Sequence, residues 1–262
     1  MKPNSVELEE LKSFIRHLAF ESGLVIKNYF GSPLAVEAKA DSSPVTIADR
    51  HAEEIIRKLI VRNYPTHGIV GEEFGTEKGE AQCKWLVDAL DGTKSFICGS
   101  YDFGTLIAFC YEDEPLIGAI NHPIFNQLLI GDNIKTELNE HQVRVQTCDL
   151  LSDAIMCVTD IGDVLKFQRY AAFERLAREV KFYRTWGNCF GYSLLARGLI
   201  NIMIDPVMDI WDCSALIPII NGAGGVITDY QGRSPINAGS IVASNPLIHD
   251  RIIDMLNVEL AK

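Results

Sequence analysis

Trp85-Leu86-Val87-Asp88-Ala89-Leu90-Asp91-Gly92-Thr93 is the stretch on which the fold turns. Trp85 to Val87 read as a buried strand, and two acids with a glycine directly after a buried strand make poor packing. They therefore mark a strand end, where loops carry sites. Two other acidic groups occupy similar places: Gly71-Glu72-Glu73 follows the apolar pair Ile69-Val70, and Trp211-Asp212 precedes a helical pattern. If these carboxylates converge, each pair about 4 Å apart costs roughly 4 kcal/mol at an effective dielectric of about 20. Several of them then cannot stay ionised without cations between them. Oxygen donors with no His or Cys nearby favour a hard ion such as Mg²⁺ over zinc. Gly92-Thr93 adds a glycine turn opening a helix, whose free N–H groups attract phosphate. Adjacent metal and anion sites are what hydrolysis of a phosphate monoester requires.

Working outward, Leu8, Leu11, Ile15, Leu18, Ser22 and Val25 or Ile26 form a helical stripe, with Asn4 three residues before Glu7 as its cap. Gly31 to Val45, with two prolines, reads as a mobile surface loop. A second helix follows, burying Ala52, Ile55, Ile56 and Leu59. Short apolar runs at 69–70, 85–87, 106–111, 116–120 and 128–130 predict a meandering, largely antiparallel sheet. After about residue 145, strands at 155–158, 181–184, 202–204 and 226–228 alternate with helices near 164–179, 189–197 and 212–221, an α/β pattern. A layered α/β sandwich of two lobes, 1–145 and 146–262, is the expected architecture.

The 262 residues are 47% hydrophobic and 23% charged, which excludes disordered and fibrous classes. The longest stretch without Asp, Glu, Lys or Arg, Pro115 to Gly131, is too polar and too broken to span a bilayer. Met1-Lys2-Pro3-Asn4 turns acidic at Glu7, unlike a signal peptide, so a cytoplasmic protein is expected. A net charge of -11 argues against nucleic acid and anionic membranes as partners. Seven scattered cysteines without a C-x-x-C pair predict reduced core residues, and six singly placed histidines predict surface or satisfied groups, not zinc ligands.

Gly71-Glu72-Glu73, Asp88-Ala89-Leu90-Asp91-Gly92-Thr93, and Trp211-Asp212 followed by Gly224-Gly225 resemble the inositol monophosphatase superfamily in order and spacing. Lys39 and the Ser-Pro-Val-Thr-x-x-Asp run from Ser43 to Asp49 are similar to its mobile catalytic loop. The resemblance implies the αβαβα sandwich of that family. It also implies one Mg²⁺ on Glu72, Asp88 and the Leu90 carbonyl, a second on Asp88, Asp91 and Asp212, and a third, weaker ion near Glu72. Thr93, linked to Asp49, would orient and deprotonate the attacking water, and the Gly92 and Thr93 amides would hold the phosphate. Ala89 stands where the family usually has proline. A homodimer acting on a small phosphate ester is implied as well.

Several of these residues have bland readings. Thr46-x-x-Asp49 is also a capping box, Asp212 could cap a helix starting at Cys213, and Glu72-Glu73 alone is a common solvated turn. Gly222-Ala223-Gly224-Gly225 follows a helix and reads as its C-cap. The extension Gly92-Thr93-Lys94-Ser95-Phe96-Ile97, with Asp205-Pro206-Val207-Met208 before Trp211, looks like the histidinol-phosphatase branch, which places the chain in histidine biosynthesis. In that reading Asp205 and position 188 meet the leaving alcohol, and Asn188 stands where the branch usually has Asp. The alternatives are a broad inositol-1-monophosphatase and a non-catalytic regulatory relative.

Overall fold

Asn4 starts the first helix, Ser5–Tyr29: its side chain accepts from the Val6 and Glu7 amides at 2.9 and 3.2 Å, while Glu7 accepts from the Asn4 amide at 2.8 Å. This is the expected capping box. Leu11, Ile15, Leu18, Ser22 and Ile26 form its buried stripe. The second helix, Ile47–Asn63, buries Ala48, Ala52, Ile56 and Ile60, so its stripe is rotated from the expected one and Ile55 and Leu59 stay half-buried. The computed structural model describes residues 2–33, 35–38 and 44–257. Lys39 and Ser43, two of the residues carrying the loop resemblance, lie outside the described residues. Part of the expected loop is ordered differently: Val36–Ala38 pairs antiparallel with Pro44–Thr46 as a ribbon leading into the second helix.

Both helices cover one face of an eight-stranded sheet in the order His141–Val143, Thr136–Leu138, Gln127–Gly131, Glu114–His122, Gly104–Tyr111, Cys83–Asp91, Gly68–Gly71, Gly75–Glu77. Every neighbouring pair is antiparallel except one: Gly68–Gly71 runs parallel to Cys83–Asp91, with Gly71 opposite Val87. The two chains therefore leave the sheet side by side, carrying Glu72 and Asp88. On the opposite face, Leu86, Leu106, Ile120 and Leu129 pack on Tyr192, Leu195, Cys213, Leu216 and Ile220 of helices Asn188–Ala196 and Ile210–Gly222.

The same core continues into Cys157, Met203 and Ala243 of a five-stranded sheet ordered Phe182–Arg184, Ile155–Val158, Ile202–Asp205, Ile241–Ser244, Val226–Thr228. Its outer face packs Met156, Ile204 and Val242 on Phe173, Leu176, Ile248 and Ile252 from helices Tyr170–Glu179 and Pro246–Asn257. Helix, sheet, helix, sheet, helix is the expected αβαβα order. Two details differ. The single helix expected near 164–179 is two, Ile161–Phe167 and Tyr170–Glu179, and the short buried strand Ile241–Ser244 has no alternation that would reveal it. Five cysteines are buried as expected, whereas Cys98 is exposed and Cys83 is intermediate. No described helix is long and apolar enough to cross a membrane.

The central helix Ile210–Gly222 lies unusually close to the first sheet because Gly118 has no side chain. A Cβ there would stand 1.9 Å from the Ala215 carbonyl oxygen. Gly118→Ala must push that helix off the sheet and should cost about 1–3 kcal/mol or more. Thermal melting against Gly239→Ala, where a Cβ meets nothing within 4 Å, checks it. The account expects a clear loss at 118 and a near-native melt at 239.

Candidate active site

Three separate elements deliver Glu72, Asp88, Asp91 and Asp212 to one place. Glu72 follows the strand Gly68–Gly71, and its amide donates to the Val87 carbonyl at 3.2 Å, which keeps it beside Asp88. Asp88 and Asp91 flank an irregularity in the pairing of Cys83–Asp91 with Gly104–Tyr111. Such a bulge re-aims side chains at a strand end. Asp88 accepts from the Leu90 amide at 2.9 Å, and the Ala89 carbonyl accepts from the Thr105 hydroxyl at 2.9 Å. These two bonds brace the turn that proline would otherwise stiffen. Asp91 accepts from the Cys189 amide near the start of the helix Asn188–Ala196.

Asp212 does not cap a helix starting at Cys213. The helix begins at Ile210, Asp209 is its N-cap, and Asp212 in the first turn accepts from the Asp209 amide at 3.2 Å. Trp211, on the same turn, is only partly buried.

Burial and mutual repulsion dominate the electrostatics. Asp88 is pushed well above the usual carboxylate range, first by burial and then by the charges of Glu72, Asp212 and Asp91, and it shares a hydrogen bond with Glu72. Asp212 is likewise raised well above that range by burial and by Asp91 and Glu72. Asp91 is raised to about 6, burial outweighing the Cys189 amide that favours its charge. A donor set made only of oxygens, too crowded to ionise together, suits a hard divalent cation. The side chains are gathered rather than set as a finished cage: among the described residues no three His, Cys, Asp or Glu groups meet as a metal cluster.

Next to the acids, Gly92 caps the short helix Thr93–Ile97 at φ 88°, a left-handed conformation that glycine adopts without strain. A Cβ at 92 would also press to 2.7 Å from the Asp102 carbonyl. The Thr93 hydroxyl stands 2.9 Å from Asp49 and 3.1 Å from the Leu90 carbonyl. Asp49 makes two sets of contacts: one oxygen accepts from the Thr46 amide and hydroxyl at 2.8 and 2.6 Å, closing a capping box, and the other faces Thr93.

A cleft of about 310 Å³ opens here, lined by Glu72, Asp91, Gly92, Thr93, Asp212, Asn188 and Asp205 among others. Asp205 is 3% exposed, accepts from Tyr192 at 2.9 Å and from the Thr159 amide at 3.3 Å, and is pushed up to about 7 by burial. The Asn188 side chain donates to the Asp102 carbonyl at 3.1 Å, and its amide donates to the Thr159 hydroxyl at 2.9 Å. Asn188 itself sits at φ 51°, a conformation Asn tolerates better than most residues.

Thr159 and Tyr192, which hold these two residues, carry no role in the sequence reading. Thr159 was reachable, because it follows the strand Ile155–Val158 as Glu72 follows Gly71. Buried Glu53 was not, since a carboxylate on a helix face reads as solvated. The histidines divide: both ring nitrogens of His249 have partners, Ser244 and Thr228, whereas His122 bonds the Phe103 carbonyl through Nδ1 and its buried Nε2 has no partner among the described residues.

A sequence model of the inositol monophosphatase family matches residues 7–259. The chain is 38% identical over 233 residues to the chloroplastic bifunctional phosphatase IMPL2 of Arabidopsis thaliana, covering 88% of this chain and 67% of that one. It is 34% identical over 246 residues to a histidinol-phosphatase of Chlorobaculum parvum, covering 92% and 95%. The solved structure of an inositol monophosphatase from Zymomonas mobilis superposes with a TM-score of 0.84 at 29% identity, covering 95% of this chain and 98% of the other.

The raised acids set a pH dependence for the metal-free protein. Asp91 near 6 and Asp205 near 7 hold protons in the folded state that the unfolded chain, with carboxyls near 4, has already lost. Their contribution is therefore fully present at low pH, and stability falls as pH rises from about 4 through 7. Asp88 and Asp212 act in the same direction. Melting in EDTA should show these groups lowering the melting temperature by several degrees between pH 5.5 and 8, with Mg²⁺ restoring more at pH 8 than at pH 5.5. An equal Mg²⁺ effect at both pH values would contradict this electrostatic account.

Proposed function

The chain belongs to the inositol monophosphatase family, a metal-dependent phosphatase family, and we propose that it is a Mg²⁺-dependent phosphomonoesterase whose substrate is a small phosphorylated alcohol, histidinol phosphate first. The observation that carries the proposal is the convergence of Glu72, Asp88, Asp91 and Asp212 beside the Thr93–Asp49 pair. Glu72, Asp88 and the Leu90 carbonyl would hold one ion, and Asp88, Asp91 and Asp212 a second, with a weaker third near Glu72. When bound, such ions polarise phosphoryl oxygens, ease deprotonation of water and offset charge on the departing oxygen.

The chain's own residues supply the rest. Asp49 is fixed on one side by Thr46, so its other oxygen stays on the Thr93 hydroxyl. With that proton engaged, the Thr93 oxygen can accept a hydrogen bond from the attacking water; as the water's proton passes to the Thr93 oxygen, the Thr93 proton passes to the Asp49 carboxylate and neutralises it. The Gly92 and Thr93 amides would hold the phosphate. In this reading lobe 1–145 binds ions and phosphate, while lobe 146–262 contributes Asp212 and the alcohol contacts Asp205 and Asn188. A cytoplasmic homodimer is part of the same proposal.

Asp205 bears on the choice of alcohol. A buried carboxyl poised near 7 in a cleft wall gains from a cationic partner, and histidinol carries an amine and an imidazole. Asp160 and Asp163 line the same cleft, and Lys94 pairs with Asp160 at 3.6 Å, which leaves Asp163 as the added negative charge. The relative named histidinol-phosphatase supports the choice. Asn188 adds no charge, and its donor group is already on the Asp102 carbonyl.

Asp91→Asn should lower phosphate release at least about 1,000-fold, while the metal-free melting temperature stays level or rises, because one charge leaves a repulsive cluster. Near-native activity, or unfolding that accounts for the loss, contradicts the role. Asp205→Asn should lower kcat/KM for histidinol phosphate about tenfold or more, since charge-assisted bonds are roughly twice as strong as neutral ones. Asn188→Asp should raise it. If wild type prefers inositol 1-phosphate, the broad inositol-phosphate phosphatase reading takes over. If Mg²⁺ supports hydrolysis of no phosphate ester, the non-catalytic reading does.

A further inference from the structure

The turn that presents Glu72 is held from behind by a carboxylate to which nothing above assigns a part. Glu53 lies on the helix Ile47–Asn63 one turn after Asp49, and it is 0% exposed. One of its oxygens accepts from the Glu73 amide at 2.8 Å, and the other from the Phe74 amide at 3.3 Å. Arg57, four residues on, donates to that second oxygen at 2.7 Å, so the buried carboxylate has a cationic partner. Arg57 reaches further, to the Gly75 carbonyl, and stands over the Phe74 ring at 5.8 Å. The middle and the far end of the Gly71–Gly75 turn are thus tied to one helix.

Gly71 belongs to the same device. A Cβ there would stand 2.0 Å from the Glu53 carboxylate oxygen, so only glycine leaves room for the clamp. The glycine in Gly71-Glu72-Glu73 is required by Glu53, which lies 18 residues earlier in the chain. Meanwhile the Glu72 amide is held by Val87. Glu72 is therefore fixed between the Asp88 strand on one side and Glu53 with Arg57 on the other, while its carboxyl faces Asp88.

We propose that Glu53 is a positioning residue for the metal site: with Arg57 it clamps the Glu72-Glu73 turn and so sets how the Glu72 carboxylate meets Asp88. The proposal rests on the metal-dependent reading above. One helix face then serves both halves of the site, Asp49 toward Thr93 and Glu53 toward Glu72. Loosening the clamp weakens ion binding before it affects phosphate binding.

The test is Mg²⁺ binding to the metal-free full-length protein by calorimetry, with phosphate release measured across Mg²⁺ concentration. Groups that orient metal ligands typically contribute 10–100-fold in affinity, so Glu53→Gln should weaken Mg²⁺ binding about tenfold or more, with kcat at saturating Mg²⁺ within about threefold and KM for the ester unchanged. Glu53→Asp keeps the charge and the Arg57 pair but withdraws from the turn. It should show the same Mg²⁺ signature, and it carries the test if the Gln variant does not fold. Gly71→Ala should reproduce the defect in wild type and add little in the Glu53→Ala background, the coupling expected of groups in contact. A purely structural role would lower the melting temperature and leave the Mg²⁺ requirement where it was, and that result overturns the proposal. If wild type itself binds no Mg²⁺, the metal-dependent reading fails instead.

Discussion

Mutual repulsion among Glu72, Asp88, Asp91 and Asp212 is the constraint to which the rest of the molecule answers. Like charges held a few ångströms apart in a buried place cannot all ionise. The fold nevertheless brings them together through a single parallel strand pair in an otherwise antiparallel sheet. Had Gly68–Gly71 paired antiparallel with Cys83–Asp91, Glu72 would emerge at the far end of the sheet from Asp88. The αβαβα stack holds the arrangement, because the helix Ile210–Gly222 that brings Asp212 is clamped between two sheets whose inner faces share one core.

The helices around the cluster act as levers on individual side chains. Ile47–Asn63 presents Asp49 and Glu53 on one face, one tied to Thr93 and the other to the Glu73 amide. Asn188–Ala196 donates its Cys189 amide to Asp91 and its Tyr192 hydroxyl to Asp205, linking two acids that line the cleft through one rigid element. Capping bonds and cleft geometry coincide. Asp49 and Asp212 each close a capping box while facing the site, so the residues that start the helices also aim the carboxylates.

Much of this was legible in the sequence for identifiable physical reasons. Acids directly after buried runs, as at Asp88, Asp91 and Glu72, violate packing unless they serve a site. The Asn4 and Thr46 caps have local signatures that need no tertiary information. Other features depend on contacts far apart in sequence and leave no local trace. The burial of Glu53 depends on Gly71 and Arg57 together, and the rotated stripe of the second helix depends on how it meets the first. The strand Ile241–Ser244 is buried on both faces and so lacks the alternation that marks a strand. Thr159 is the instructive omission: it stands at a strand end, but a hydroxyl there draws less notice than a carboxylate.

The central claim is that protonated, crowded carboxyls become ionised when a divalent ion takes their protons' place. Calorimetry of Mg²⁺ binding at pH 6.5, repeated in buffers of different ionisation enthalpy, counts the protons released per protein. Raised carboxyls at the ion site, Asp91 near 6 among them, predict a net release that shrinks toward pH 8.5. Binding heats that do not depend on the buffer at either pH would show that the acids are already ionised without the ion, and would contradict the account.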